Sequence, residues 1–340
     1  VNRRILTLLV ALVPIIAFGA LLAVVTVPYV SLGPGPTFNT LSEVDGKEVV
    51  DIQGTQVHPA SGHLNMTTVS QRDDLTLAQA LGLWMSGREQ LVPHDLVYPP
   101  DKTREEVDKE NDTDFKRSED SAEYAALGYL KYPQVLTVET VNDPGPSAGK
   151  LQPGDAIDAV NGTPITGVDQ FQSLLKQTKP GQNLVLNYRR KLAPPGTTTI
   201  TLGKNPDRDY GFLGVAVLEA PWAPFRVTFN LANIGGPSAG LMFSLALVDK
   251  LTTGDLADSK FVAGTGTIGA DGKVGPIGGI THKMLAAQEA GAGVFLVPHD
   301  NCDEARSGND EGLQLVKVDN LGQAVDALHT LSAGGEPPHC

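Results

Sequence analysis

The stretch Gly235-Gly236-Pro237-Ser238-Ala239-Gly240, with the run Leu241 to Leu251 behind it, constrains this chain more than any other. Two glycines give a tight turn with exposed backbone. Pro237 suits the first position of a helix, where no N–H is needed. Leu241, Met242, Phe243, Leu245, Ala246, Leu247 and Val248 make that helix apolar almost all round, which predicts burial. Ser238 is then expected in the first helical turn. A hydroxyl there, beside free backbone N–H groups around Gly236, Pro237, Ser238 and Ala239, suits a nucleophile with its own oxyanion hole. On this stretch alone, an ordinary serine near a helix start is an equal alternative.

Composition narrows the field. The 340 residues are 41% hydrophobic, enough core for one large domain or two to three small ones. A net charge of -13 without a long basic run argues against a nucleic-acid partner. The histidines are scattered, with no metal-ligand spacing, so neither a metal nor a cofactor is expected. Cys302 and Cys340 form an even pair, which in an oxidising compartment suggests one disulfide pinning the tail. Two unpaired thiols are the alternative.

Ile5 to Val27 carries no charge and is long enough to span a bilayer with some tilt. Arg3 and Arg4 precede it, which predicts a cytoplasmic N-terminus over 1–4 and a single-pass anchor over 5–27. Pro14 and Gly19 inside the run are tolerated better in membrane helices than in soluble ones. A cleaved signal peptide and a buried core helix are the alternatives. On the anchor reading, everything after Tyr29 is extracytoplasmic.

Further along, Leu75 to Met85 shows helical apolar spacing, and so does Ala122 to Leu130. Asp101 to Asp120, dense in charge of both signs, reads as a solvated helix or loop. Val135 to Val141 alternates like a half-buried strand. It leads into Leu151-Gln152-Pro153-Gly154-Asp155-Ala156-Ile157-Asp158-Ala159-Val160-Asn161-Gly162, then a helix pattern from Val168 to Gln177 and a strand from Asn183 to Arg189. This segment resembles a bacterial PDZ domain. The resemblance implies a peptide groove between a strand carrying Val135, Leu136 and Thr137 and the helix carrying Phe171 and Leu174. Extended peptides would add there as an extra strand; a groove that only packs against its neighbour is the alternative.

Gly-Pro-Ser-Ala-Gly occurs twice, at 145–149 and 236–240. The first copy runs into polar and turn residues and belongs to the PDZ-like loop; only Ser238 opens a buried helix. Lys150 after Gly149 imitates a phosphate loop, but the rest of that motif is missing, so no nucleotide site is expected. Downstream come a strand-like run from Phe261 to Thr267 and Pro276-Ile277-Gly278-Gly279-Ile280-Thr281-His282-Lys283, leading into a helix that Gly291 stops. With Gly236-Pro237-Ser238-Ala239-Gly240, this resembles the Lon peptidase domain. The likeness covers about Pro206 to Ala333; Gly62 to Thr68 and the Ser121 to Tyr129 helix resemble the family's earlier strand and helix. The resemblance therefore implies an α+β fold: an N-terminal transmembrane helix, then a Lon-type proteolytic domain with the PDZ domain inserted in it. The whole is similar to the membrane-anchored PDZ–Lon proteases of Gram-positive bacteria. Expected limits are 31–130 for the first part of the Lon-like domain, 131–205 for the PDZ module, 206–335 for the catalytic part and 336–340 for the tail.

The same resemblance implies Ser238 as nucleophile, Lys283 as general base and Thr265 as the hydroxyl that holds the lysine. The family's acidic residue two places after that threonine is Thr267 here, so its help is absent. No ATPase module is present in the sequence, so ATP-driven unfolding is not expected. A neutral lysine can activate serine if burial lowers its pKa. Lys250 and Lys273, each by a polar turn, are rival bases, and His282 adjoins the base position. The reading is an extracytoplasmic serine endopeptidase acting on unfolded or membrane-proximal polypeptides, anchored in the cell membrane through 5–27, with a homo-oligomeric ring as a further partner state. A non-catalytic PDZ scaffold and a protease specific for one partner are the rivals.

Overall fold

The computed structural model describes residues 3–205 and 207–340. Val1 and Asn2 of the expected 1–4 segment, and Pro206 at the expected start of the catalytic part, lie outside the described residues.

Among the described residues two six-stranded sheets frame the molecule. The first runs in the order Gln314–Val318, Val294–Pro298, Phe261–Gly264, His63–Arg72, Tyr29–Asn39 and Gln90–Pro93. Its first four strands are parallel and the last two pairings antiparallel. Val294-Phe295-Leu296-Val297-Pro298 is buried at every position, as expected of a parallel strand covered on both faces. Strands alternate here with the helices Ile280–Ala290, Cys302–Ser307 and Leu321–Ser332. The sheet also takes up strands from before residue 94, far from the others in sequence. The core gathers around Gly240–Leu251, whose residues Gly240 to Lys250 are all buried.

The second sheet orders Gly196–Thr201, Asn183–Arg189, Ala156–Val160, Gln134–Val141 and Val215–Pro221, with the short Thr163–Pro164 strand paired to Ala156–Val160. Its own core centres on Phe171, Leu184, Leu186 and Ile200. The sheet runs past residue 205, where the PDZ module was expected to end, because Val215–Pro221 pairs with Gln134–Val141 along its whole length.

Two expectations are corrected here and a third is refined. The α+β class gives way to a mixed α/β arrangement, because parallel strands and helices alternate through the C-terminal third. The charge-free stretch 5–27 is not one continuous span. Its helix, Arg3–Val24, stops short, and Val25 to Val27 turn aside to bridge residues 75–77 through Val27 N–H to Leu75 O and Leu77 N–H to Val25 O. Among the described residues no helix is long and apolar enough to cross a membrane, so the single-pass anchor through 5–27 and the cytoplasmic and extracytoplasmic assignments resting on it are withdrawn. Third, the charge-dense stretch Asp101 to Asp120, expected as a solvated helix or loop, is a helix from Arg104 on, mostly exposed but with Phe115 and Ser118 buried. It forms one 26-residue helix, Arg104–Tyr129, started by a reciprocal cap between Thr103 and Glu106. Phe115, Ser118, Ala122, Ala125 and Ala126 give it a buried face at helical spacing against Gly240–Leu251.

The C-terminus is tied down. Lys317 N–H donates to Pro338 O, His339 bridges Val316, and Cys340 is disulfide-bonded to Cys302. The tail therefore covers the outer edge of the first sheet.

Candidate active site

The turn before the buried helix is tighter than expected. The helix begins at Gly240, so Ser238 stands two residues ahead of it. Gly236 has φ +83°, a conformation that glycine adopts without penalty. Two carbonyls of the turn are held from outside the helix. Pro237 O accepts from Ser118 Oγ at 3.1 Å; Ser238 O accepts from Gly266 N–H at 3.0 Å and from Thr265 Oγ1 at 3.2 Å. Gly236 N–H is spent on Asn111 O at 2.9 Å, and Pro237 has no N–H. Of the amides expected to face an oxyanion, those of Ser238 and Ala239 remain.

Lys283 comes from the first turn of Ile280–Ala290. That helix starts at Gly279, with φ +69°, where a Cβ would lie 3.0 Å from Val69 Cγ2. Only glycine lets the helix start this close to the His63–Arg72 strand. The placement brings Lys283 Nζ to 2.7 Å from Ser238 Oγ and 3.0 Å from Thr265 Oγ1. The lysine is 3% exposed, and burial alone pulls its pKa from the ordinary 10.5 down to about 8. No carboxylate within the described residues forms an ion pair with it. The hydroxyl of Thr265 donates to Ser238 O, so it meets Lys283 as an acceptor. The two N–H groups and one lone pair of a neutral lysine are thereby sorted: one N–H to Thr265, the lone pair free for the Ser238 hydroxyl.

The rival bases are elsewhere. Lys250 is buried but committed to Glu48 Oε2 at 2.9 Å and Val50 O at 2.7 Å. Lys273 is exposed in the turn between Thr267–Ile268 and Val274–Gly275. His282 is nearly buried, with Nε2 lacking a partner among the described residues and its pKa lowered by burial. Ser147, the serine of the other motif copy, is wholly buried in a loop and donates to Leu213 O at 2.6 Å beside the core under the second sheet.

Ser238 and Lys283 open onto a cleft of about 1070 Å³. Met66, Val69, Phe115, Ile234 and Ile277 give it apolar walls, and residues 68–71 of the His63–Arg72 strand run along it.

The strand expected to line a peptide groove is not the edge of its sheet. Val135, Leu136 and Thr137 lie on a strand flanked by Val215–Pro221 on one side and, at Thr137, by Ala156 on the other. The edge strand is Val215–Pro221. It lies beside the Val168–Lys176 helix, whose Val168 N–H donates to Glu219 Oε1. Phe171 is buried in the module's core and Leu174 is half-buried. Asn111 and Ser118 were missed at the site, although Asn111, Phe115, Ser118 and Ala122 recur at helical spacing within the charged stretch.

The Lon protease (S16) C-terminal proteolytic domain family matches residues 233–330, which include both Ser238 and Lys283. The PDZ domain family matches residues 107–200. The chain is 43% identical over 83 residues to Lon protease of Roseiflexus castenholzii, covering 24% of this chain and 10% of that protein. It is 26% identical over 209 residues to Lon protease 2 of Bacillus subtilis, covering 58% of this chain and 33% of that protein. The PDZ domain of the SdrC-like protein from Listeria monocytogenes aligns at 22% identity and a TM-score of 0.23, covering 25% of this chain and 87% of that structure. The chain spans between a tenth and a third of the length of these curated relatives. Through a Lon-type C-terminal proteolytic domain at 233–330, joined to a PDZ domain at 107–200, the chain resembles the Lon proteases, which supports a serine peptidase.

Proposed function

We propose that the chain is a serine endopeptidase in which Ser238 is the nucleophile and Lys283 its general base. The observation that carries this is the 2.7 Å approach of Lys283 Nζ to Ser238 Oγ at a buried lysine with no anionic partner among the described residues. In the neutral form, Lys283 takes the proton as Ser238 Oγ attacks the scissile carbonyl carbon. The oxyanion is received by the N–H groups of Ser238 and Ala239. The lysine ammonium passes its proton to the leaving amine, and water, activated by the same lysine, then cleaves the acyl-serine. Thr265 holds the lysine in register throughout. The cycle consumes no nucleotide and needs neither metal nor cofactor.

The substrates are extended polypeptides. The PDZ module binds peptide segments or gates access to the cleft, with the Val215–Pro221 edge as its docking strand. The PDZ module runs from 131 to 221 and the catalytic part from 222 to 335, after a first part of the Lon-like domain over 31–130.

The test is Lys283→Arg, assayed on an unfolded protein and on a fluorogenic peptide. Arginine keeps size and charge but is never neutral at an accessible pH. Activity should vanish as completely as in Lys283→Ala. An active Lys283→Arg enzyme would mean an ion-pairing or structural lysine and would sink the dyad.

A further inference from the structure

The turn that carries Ser238 is clamped by a helix outside the dyad. Along Arg104–Tyr129, Asn111 O receives Gly236 N–H, and two helical turns later Ser118 Oγ donates to Pro237 O at 3.1 Å. A serine inside a helix commonly returns its hydroxyl to its own backbone. Ser118, only 4% exposed, gives its hydroxyl to a segment 119 residues away. The fit is close: a Cβ on Gly240 would lie 3.0 Å from Ser118 Oγ and 2.6 Å from Ile268 Cγ2. The catalytic turn is thus pressed directly onto this side chain.

We infer that Ser118 is a positioning residue: by holding Pro237 O it sets the direction of the Ser238 N–H as an oxyanion donor. The inference rests on the dyad reading above. A trans peptide is planar, with C=O and N–H on opposite sides. Fixing the Pro237 carbonyl therefore fixes the Ser238 N–H at the other end of the same plane. The neighbouring donor is aimed in the same way. Ser238 O is held by Gly266 N–H and Thr265 Oγ1, which orients the Ala239 N–H. The two amides differ in how securely they are aimed. Ala239 has a backbone donor and a hydroxyl behind it, whereas Ser238 depends on the hydroxyl of Ser118. Removing that hydroxyl leaves the Pro237–Ser238 plane free to rock, and the donor loses its preorganisation while the ground-state cleft is unchanged.

The experiment compares wild type, Ser118→Ala and Ser147→Ala, with rates referred to the folded fraction from thermal melting. Ser147 is the matched control: a fully buried serine hydroxyl bonded to a carbonyl, but in a loop beside the second sheet's core. For Ser118→Ala, kcat should fall by about tenfold to a hundredfold with KM within about twofold, since a transition-state donor is affected. The affinity for a peptide aldehyde, whose hemiacetal oxygen occupies the oxyanion position, should fall in proportion to kcat. The midpoint of the pH–rate profile should stay where it is, because Lys283 is untouched. Ser147→Ala should keep the wild-type kcat. Unchanged kcat and aldehyde affinity in Ser118→Ala would overturn the inference. So would a loss accompanied by a moved pH midpoint, or an equal loss in Ser147→Ala. A Ser238→Ala protein that still cleaves peptide would overturn the dyad itself, independently of Ser118.

Discussion

Lys283→Met should make this protein more stable and inactive, by an amount that depends on pH in a calculable way. Burial lowers the pKa of Lys283 from 10.5 to about 8. Each unit is worth about 1.4 kcal/mol, so the native state carries a penalty of roughly 3 kcal/mol while the lysine is charged in both states. Methionine fills similar space without a charge. Against that gain stands one lost contact to Thr265 Oγ1, whose own proton stays on Ser238 O, at about 1 kcal/mol. Ser238 is only half-buried and can turn to water. The net is a stabilisation of about 2 kcal/mol below pH 8, or a rise in Tm of roughly 3 °C. The sign follows from linkage. Between pH 8 and 10.5 the unfolded lysine still binds a proton and the folded one does not, so wild-type stability gains with rising pH. The advantage of the variant should shrink through that window and reverse above it. Thermal or urea unfolding of both proteins at pH 6.5, 8, 9 and 10 reads the difference directly, since every other titrating group cancels. A variant less stable than wild type at pH 6.5, or a difference that ignores pH, would refute a neutralisable buried lysine.

Two further outcomes follow from the same structure. In the wild type, kcat/KM should rise with pH through about 8, and His282→Gln should retain that limb, because burial pushes the histidine pKa downward, away from it; loss of the limb in the variant would make His282 the titrating group. Reducing the Cys302–Cys340 disulfide opens a loop with a sequence separation of 38, which should cost up to about 4 kcal/mol and raise hydrogen exchange along Gln314–Val318, where the tail lies; unchanged exchange on that strand would show that the tail stays docked without the bond.

The elements of the site differ in how far they were readable from the residues. Ser238 stood out because a glycine turn before an apolar helix leaves a local imprint, although an ordinary serine fits that imprint equally well; Lys283 was singled out only by the resemblance to the Lon peptidase domain. Their convergence needed the parallel pairing of Phe261–Gly264 with its two neighbours, which no local pattern states. Ser118 was hidden because Lys116, Arg117, Glu119 and Asp120 surround it and dominate any reading by charge. That Gln134–Val141 is an internal strand was hidden for a different reason. Sheet order is decided by long-range pairing, and Val215–Pro221 takes the edge from a strand more than seventy residues earlier. The anchor was over-read because composition alone marked 5–27 as one span. Composition carries no trace of the bridge that draws Val25 to Val27 toward Leu75.

The most direct measurement is covalent labelling of the purified chain with a serine-reactive acylating agent, followed by mass spectrometry of the adduct and a pH series of the labelling rate. One adduct is expected, on Ser238, formed at a rate that rises through about pH 8 and is abolished in Lys283→Arg. An adduct on Ser147 or another residue, or labelling of Ser238 that is indifferent to pH and to Lys283, would contradict it.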